Sequence, residues 1–388
     1  MDIRLFNTMT SQIEPFSPLI PGKVSMYVCG PTVYNYVHIG NMRPVVVFDT
    51  LRRFFEYVGY EVTYVSNYTD IDDKIIQRAS EEGVTESVIA AKYIAAFEDV
   101  VLQIHSQKAT YTPRVTHFVK EIIDFIALLV EKNAAYVVEG DVYFRVASDP
   151  HYGEIANVKM DDLVVGARVE ENTRKEGPLD FALWKKTDIG VSWDSPWGKG
   201  RPGWHTECVV MIHSLFPKHF IDIHGGGFDL KFPHHTNEIA QSEIIEGNTL
   251  ARYWMHNGFV NIHNEKMSKS LGNSVTAKDL LARFGGNAIR LLLLSTHYRA
   301  PVNFADEVVE SGSNELTKME NTFRQLAVYL QLHGGSLSQG TAVFIQPFLE
   351  ALADDLNTSN ALAEVFKTLK EVNQYLHGRE KDVAQGEN

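Results

Sequence analysis

The sequence predicts an α/β fold: a parallel sheet wrapped by helices, interrupted once by an insertion and followed by a region made of helices. Three observations carry the prediction. The first third alternates short apolar strands with amphipathic helices, in the order strand, turn, helix, strand. That order suits parallel strands joined by crossovers. From residue 147 to 203 the chain turns irregular, polar and rich in Gly and Pro. Beyond Lys266 the apolar spacing is helical throughout.

Each element has its own signal. Residues 23–29 (KVSMYVC) read as a strand that stops at a Gly-Pro turn, and residues 41–58 as a helix broken at Gly59. Residues 61–66 (EVTYVS) form a second strand, and Asp70 opens a further helix. Residues 86–132 are helical, punctuated by Pro113. Residues 135–138 and 141–146 form a hairpin across Glu139-Gly140, inside an insertion spanning 115–200. The sheet resumes near Trp204 with a helix, a strand at 219–224, three glycines, a helix at 232–246 and a strand near Trp254. The closing helices fall at 276–283, 286–297, 306–332, 341–355 and 358–377, with a Gly/Ser-rich linker at 333–340. The last ten residues, REKDVAQGEN, are polar and expected to fray. There is no internal repeat.

Length and composition set the outer bounds. The 388 residues suggest two or three domains at about 150 residues each. With 44% hydrophobic residues the chain buries a core, which excludes disorder for most of it. No apolar run reaches the length of a membrane-spanning helix. The N-terminus lacks the apolar core of a secretory signal, so the cytoplasm is the expected compartment. The net charge of −13 argues against a protein that coats DNA or RNA by bulk attraction, while a local basic face still suits RNA. The two cysteines, Cys29 and Cys208, are too few for a secreted disulfide framework. They read as buried core, one disulfide, or metal ligands.

The residues that carry chemistry point to a nucleotide. Lys266-Met267-Ser268-Lys269-Ser270 follows a strand, and two ammonium groups flanking hydroxyls suit a polyphosphate. His38-Ile39-Gly40-Asn41 opens a helix, whose N-terminal amides and dipole favour phosphate. Gly40 lets a nucleotide approach the backbone. Gly225, Gly226 and Gly227 offer the same close approach to adenosine, and Asp229 follows as a nucleotide or amino-acid contact. Three glycines also serve tight turns, and an exposed carboxylate is the bland reading of Asp229. There is neither a Walker A loop nor a strict GxGxxG, which argues against a P-loop enzyme or an ordinary dehydrogenase. His234 and Glu238 stand four apart on one face of a predicted helix. With Cys29 and Cys208 they make a plausible tetrahedral zinc set.

These strings resemble a known family. KMSKS and HIGN are similar to the two signature motifs of class I aminoacyl-tRNA synthetases. Six further segments resemble the cysteinyl-tRNA synthetases: Cys29-Gly30-Pro31-Thr32-Val33-Tyr34, Thr69 to Ile75 (TDIDDKI), Gly203 to Cys208 (GWHTEC), Asp222 to Gly227 (DIHGGG), Phe232 to Glu238 (FPHHTNE) and Asp354 to Thr358 (DDLNT). The resemblance runs from about residue 3 to about 375. Thr236 departs from it, where the family usually carries Glu; that position is not a metal ligand.

The resemblance implies a fold, a reaction and a site. It implies a Rossmann-like catalytic domain in two halves, 1–114 and 201–258, an acceptor-end insertion at 115–200, a KMSKS and stem-contact region at 259–305, and a helical bundle at 306–388. It implies ATP-dependent activation of L-cysteine to cysteinyl-adenylate, with release of pyrophosphate and transfer of cysteine to the 3′ end of tRNA(Cys). His38 and Asn41 would stabilise transition-state charge, and Lys266 and Lys269 would hold the β- and γ-phosphates, with Mg2+ accompanying ATP. Pro31, Thr32, Gly40, the three glycines, Asp229, Met267, Ser268 and Ser270 would complete the ATP site. Zn2+ would be bound by Cys29, Cys208, His234 and Glu238 and would take the substrate thiolate, separating cysteine from serine. Trp204 and Thr69 would line the amino-acid pocket. The resemblance also implies a monomer. The bundle carries six basic against thirteen acidic residues. The resemblance implies that family members continue past it into an anticodon-binding module, which is expected to be missing here, either because the enzyme is short or because the sequence is truncated. Two rivals stand beside this reading: a related ligase joining activated cysteine to an amino-sugar, and a non-enzymatic RNA-binding paralogue.

Overall fold

The computed structural model describes residues 1–157, 174–262, 265–266, 275–334 and 345–378. An antiparallel hairpin, β1 (Arg4–Asn7) and β2 (Gln12–Pro15), comes first. β3 (Lys23–Val28), α1 (Ile39–Tyr57) and β4 (Glu61–Ser66) then make the first strand–helix–strand unit, with β3 and β4 parallel. α1 buries Val46, Val47, Leu51, Phe54 and Phe55, a stripe at helical spacing. It begins at residue 39 rather than 41, because the Asn41 side-chain oxygen accepts the His38 N–H at 3.1 Å and folds the first turn back onto its cap.

α2 (Asp73–Glu82) starts three residues later than the sequence suggested, since Asp72 is the cap and accepts from the Lys74 N–H. Asp70 instead accepts from the backbone and hydroxyl of Thr116, at 3.0 and 2.6 Å. α3 (Glu86–Gln103) and α4 (Val119–Glu131) follow. The insertion holds its own antiparallel sheet, in the order β5 (Ala135–Val138), β6 (Asp141–Phe144), β7 (Phe181–Lys186), β8 (Gly200–Pro202). Glu139 (φ 53°) and Gly140 (φ 99°) both take positive φ, as a two-residue hairpin turn requires. The expectation of irregular chain over 147–203 is therefore corrected at 181–186 and 200–202, while residues 158–173 lie outside the described residues. β7 buries Phe181, Leu183 and Trp184, and its pairing with β6 overrides the local turn signals.

α5 (Glu207–Leu215) leads into β9 (Ile221–Gly227), so the three glycines lie within the strand and not after it. α6 (Thr236–Glu246) begins later than the expected 232. Phe232 precedes proline and is extended (φ −138°, ψ 133°), the conformation that position favours. β10 (Ala251–Asn257) completes the parallel sheet, in the order β10-β9-β3-β4. A second small sheet joins β11 (Val260–Ile262) to β12 (Glu265–Lys266) and to β13 (Val302–Phe304). β13 corrects the expectation that only helices follow Lys266; three residues are too few to show a period.

The closing helices are α7 (Ala277–Phe284), α8 (Gly286–Leu294), α9 (Asp306–Leu332), α10 (Ile345–Ala353) and α11 (Thr358–His377). Buried polar groups join this part of the chain to α1 and to β1. Arg43 of α1, fully buried, donates to the Phe259 carbonyl at 2.7 Å. Asp49 of α1 pairs with Arg290 of α8. Asp355 accepts from the Phe6 N–H at 2.8 Å, the Tyr298 hydroxyl at 2.9 Å and Arg299 Nε at 2.8 Å. Residues 335–340 of the expected linker, and the last ten residues, lie outside the described residues. Among the described residues no helix is long and apolar enough to cross a membrane.

Candidate active site and metal centre

In a parallel sheet the C-terminal strand ends share one edge, where ligands bind. Here that edge opens into a cleft of about 420 Å³. Its walls include Cys29, Pro31 and Thr32 after β3, His38, Gly40 and Asn41 at the start of α1, and Asn257 at the end of β10. Gly30 is required for this geometry: a Cβ there would stand 1.6 Å from the Asn67 carbonyl oxygen. Its N–H donates to Asn67 Oδ1 at 2.9 Å. His38 caps α1 in extended conformation (φ −98°, ψ 169°). Asn41, which lines the cleft, accepts the His38 N–H on Oδ1, and Nδ2 is the donor its amide has to offer a ligand.

Four donors from three segments converge beside the cleft. Cys29 follows β3, Cys208 sits in the first turn of α5, His234 precedes α6 and Glu238 lies in its first turn. One donor atom from each falls within 4.8 Å of all the others. Cys29 Sγ lies 3.5 Å from Cys208 Sγ, and His234 Nε2 is 2.9 Å from Glu238 Oε1. Cys208 Sγ is 3.7 Å from His234 Nε2, and Cys29 Sγ is 3.8 Å from Glu238 Oε1. The two sulfurs are too far apart for a disulfide. Tetrahedral zinc would set such donors about 3.3–3.8 Å apart, from bond lengths of about 2.0–2.3 Å. Three of the four separations fall within that range, and the fourth needs only to open slightly.

The electrostatics agree with this donor set. Burial would raise the Glu238 carboxyl, but the charges of His234 and His224 overcome it and hold it well below the usual carboxylate range. Burial likewise opposes charge on His234, yet Glu238 pushes its pKa up to about 10. Burial works against a Cys208 thiolate, and the hydrogen bond from Cys29 offsets it to bring that thiol down to about 7. Burial, with Cys208 and Glu238 close by, pushes the Cys29 thiol well up, so a thiolate there needs a further positive charge beside it. Glu238 Oε2 and His224 Nε2 stand 2.8 Å apart, and neither has a well-aligned hydrogen-bond partner. The residues fit a thiophilic divalent cation.

The comparisons decide the family. Residues 15–314 match the family model "tRNA synthetases class I (C) catalytic domain", and residues 347–387 match the DALR domain. A cysteine–tRNA ligase of Streptococcus agalactiae serotype III is 52% identical over 375 residues, covering 96% of this chain and 83% of the relative. A cysteine–tRNA ligase of Brevibacillus brevis is 50% identical over 385 residues, covering 97% and 82%. The chain belongs to the cysteine–tRNA ligase family. A Mycobacterium tuberculosis methionyl-tRNA synthetase in complex with methionyl-adenylate has the same fold, with a TM-score of 0.68 and 18% identity over 94% of this chain and 87% of that one. So has an Agrobacterium radiobacter leucyl-tRNA synthetase bound to tRNA, with a TM-score of 0.69 and 11% identity over 96% and 83%.

The ligase cleft gathers some of the expected residues and leaves others aside. Trp204 lines it and stacks on His234, with ring centroids 4.3 Å apart at 19°. Thr69 is buried beneath the cleft, and its hydroxyl donates to Glu207 Oε2 at 2.7 Å. It thereby braces the residue before Cys208. Gly227 and Asp229 line the cleft, while Gly225 and Gly226 do not. A Cβ on Gly225 would fall 2.2 Å from the Phe48 ring, so its bareness serves packing. Thr236 donates from its hydroxyl to the Lys231 carbonyl at 2.8 Å. Lys266 pairs through its backbone with Asn261, but its side chain and Met267, Ser268, Lys269 and Ser270 lie outside the described residues.

A belt of imidazoles around the four donors escaped the sequence reading. His235 Nε2 is 3.3 Å from Cys29 Sγ, and its Nδ1 is 2.8 Å from His256 Nε2. His205 Nδ1 lies 3.1 Å from His234 Nδ1. Burial lowers the pKa of His256 to about 3 and also lowers those of His205 and His235, so all three are neutral. Two of these histidines flank named motif residues, in GWHTEC and FPHHTNE, which was the available signal.

Proposed function

We propose that the chain is a cysteine–tRNA ligase: it joins L-cysteine to ATP as cysteinyl-adenylate, releases pyrophosphate and passes the cysteine to the 3′-terminal adenosine of tRNA(Cys), acting as a cytoplasmic monomer. The observation that carries the reading is the set Cys29, Cys208, His234 and Glu238 beside a cleft whose rim holds the N-terminus of α1. Zinc held by these four residues supplies a soft Lewis acid that prefers a thiol sulfur to a hydroxyl oxygen. Trp204, stacked on His234, forms one wall of that corner of the cleft.

The rest is positioning and charge. The cysteine carboxylate attacks the α-phosphorus of ATP, a P–O bond forms, and the bond to pyrophosphate breaks. His38 and Asn41 direct donors at the growing negative charge, and the positive end of the α1 dipole adds to them. Lys266 and Lys269 neutralise the β- and γ-phosphates of an ATP delivered with Mg2+. Pro31, Thr32, Gly40, Gly227 and Asp229 shape the nucleotide pocket. In the second step a terminal ribose hydroxyl of tRNA attacks the adenylate carbonyl and AMP leaves. In this reading the catalytic halves are 1–114 and 201–258, the insertion 115–200 holds the acceptor end, 259–305 contacts the stem and 306–388 is the helical bundle.

ATP–pyrophosphate exchange tests the first step. Exchange driven by cysteine and not by serine supports the reading. Equal exchange with both amino acids, or none from zinc-loaded folded protein, contradicts it.

A further inference from the structure

The helices that carry the zinc ligands at their N-terminal ends bring a second donor cluster together at their C-terminal ends. His213 is in the last turn of α5, Glu246 is the last residue of α6, and His219 lies in the loop before β9. Cys208 and His213 are five residues apart on α5, about 7.5 Å along its axis; Glu238 and Glu246 are eight apart on α6, about 12 Å. The two clusters therefore share helices but no residue.

The geometry is that of a three-ligand site. His219 Nδ1 lies 2.9 Å and His213 Nδ1 4.0 Å from the same oxygen, Glu246 Oε1. The donor atoms of all three residues fall within 4.8 Å of one another. The imidazoles stack face to face, with centroids 4.9 Å apart and planes 16° apart. His219 takes φ at 51°, in the left-handed region that histidine enters more often than most residues other than glycine.

Hydrogen bonding explains only part of this arrangement. The His219–Glu246 contact is an ordinary charge-assisted hydrogen bond. His213 has no such account: its side chain is only 10% exposed, and at 4.0 Å its Nδ1 is too far from Glu246 Oε1 for a hydrogen bond. Packed edge-on against Phe125, it occupies a place an apolar ring would fill at lower cost. Burial and the neighbouring His219 lower its pKa to about 4, so near neutral pH it is an imidazole with a lone pair to give.

We propose that His213, His219 and Glu246 form a second cation site, which takes a borderline transition metal such as Zn2+ through two imidazole nitrogens and one carboxylate oxygen. Ligands around zinc stand about 3.3 Å apart, between the two observed nitrogen–oxygen distances. The remaining coordination falls to water, because His219 is 44% and Glu246 29% exposed. No thiolate takes part, so this site is harder and weaker than the one at Cys29 and Cys208. Its occupancy would fasten the C-terminal ends of α5 and α6 to each other.

The test is equilibrium dialysis of the full chain against Zn2+, with metal counted per protein. Wild type should bind two equivalents, and H219A and E246Q only one. Co2+ loading reads the first site separately: its thiolate-to-cobalt absorption should be the same in wild type and both variants. Zn2+ above one equivalent should raise the unfolding midpoint of wild type and leave that of H219A unmoved. One equivalent in wild type, or two in both variants, overturns the proposal. A variant that fails to fold is recognised by loss of the cobalt–thiolate band, and H219Q and H213Q then replace it at the same test.

Discussion

Removing the Asp355 carboxylate should loosen the join between the C-terminal helices and the sheet. Asp355 is buried, and its Oδ1 accepts both the Phe6 N–H and the Tyr298 hydroxyl, while Oδ2 takes Arg299. Asp355→Ala leaves the first two donors without an acceptor in a closed space, at about 1–3 kcal/mol each. Arg299 is 36% exposed and turns to water, so it adds little. Asp355 also sits at φ 56°, where alanine is less tolerated than aspartate, for about 1 kcal/mol more. The expected total is about 3–7 kcal/mol. Asp355→Asn retains an oxygen in the Oδ1 place and tolerates positive φ, so it should lose about 1 kcal/mol. The assay is urea unfolding of the three proteins, followed by far-UV circular dichroism. Equal midpoints for Asp355→Ala and wild type would refute the reasoning, and so would a loss in Asp355→Asn as large as that in Asp355→Ala.

Three more outcomes follow from the same geometry. Glu238→Gln removes the charge that His234 and His224 share, so retained zinc, counted after dialysis, should fall well below one per chain while the fold persists. Gly30→Ala places a methyl against the Asn67 carbonyl and must displace the turn after β3; cysteine-dependent exchange should fall at least tenfold, and an unchanged rate would contradict the close approach. Glu243 has a pKa raised to about 7 by burial and by Asp149. In the unfolded chain it ionises near 4.3, so folding stability is whole below that pH and falls as pH rises through 7. Glu243→Gln should match wild type at pH 4 and exceed it at pH 8, by on the order of 1 kcal/mol, read from denaturation midpoints at both pH values.

The sequence carried the parallel sheet well because its evidence is local. β3 and β4 are apolar runs bounded by turns, and α1 shows its buried stripe at helical spacing. β13 and β7 were illegible for opposite reasons: one is three residues long, and the other stands in a turn-rich stretch and is held by its pairing with β6. Cys29, Cys208, His234 and Glu238 were legible as a family pattern. Their convergence was not, since it depends on β3, α5 and α6 meeting across more than 200 residues of chain. Thr69 shows the converse limit. Its hydroxyl could have faced a substrate or capped a helix, and only the packed structure turns it to Glu207. Likewise Gly225 looked like a place for a nucleotide to approach, whereas Phe48 is what approaches it.

The most direct test of the account is charging of total tRNA with labelled cysteine by the zinc-loaded chain, with labelled serine alongside. The account requires cysteine to appear on tRNA and serine to remain near background. Cysteine-dependent exchange without any charged tRNA would contradict it and point to another acceptor for the activated cysteine; comparable charging with serine would contradict the role given to Cys29, Cys208, His234 and Glu238.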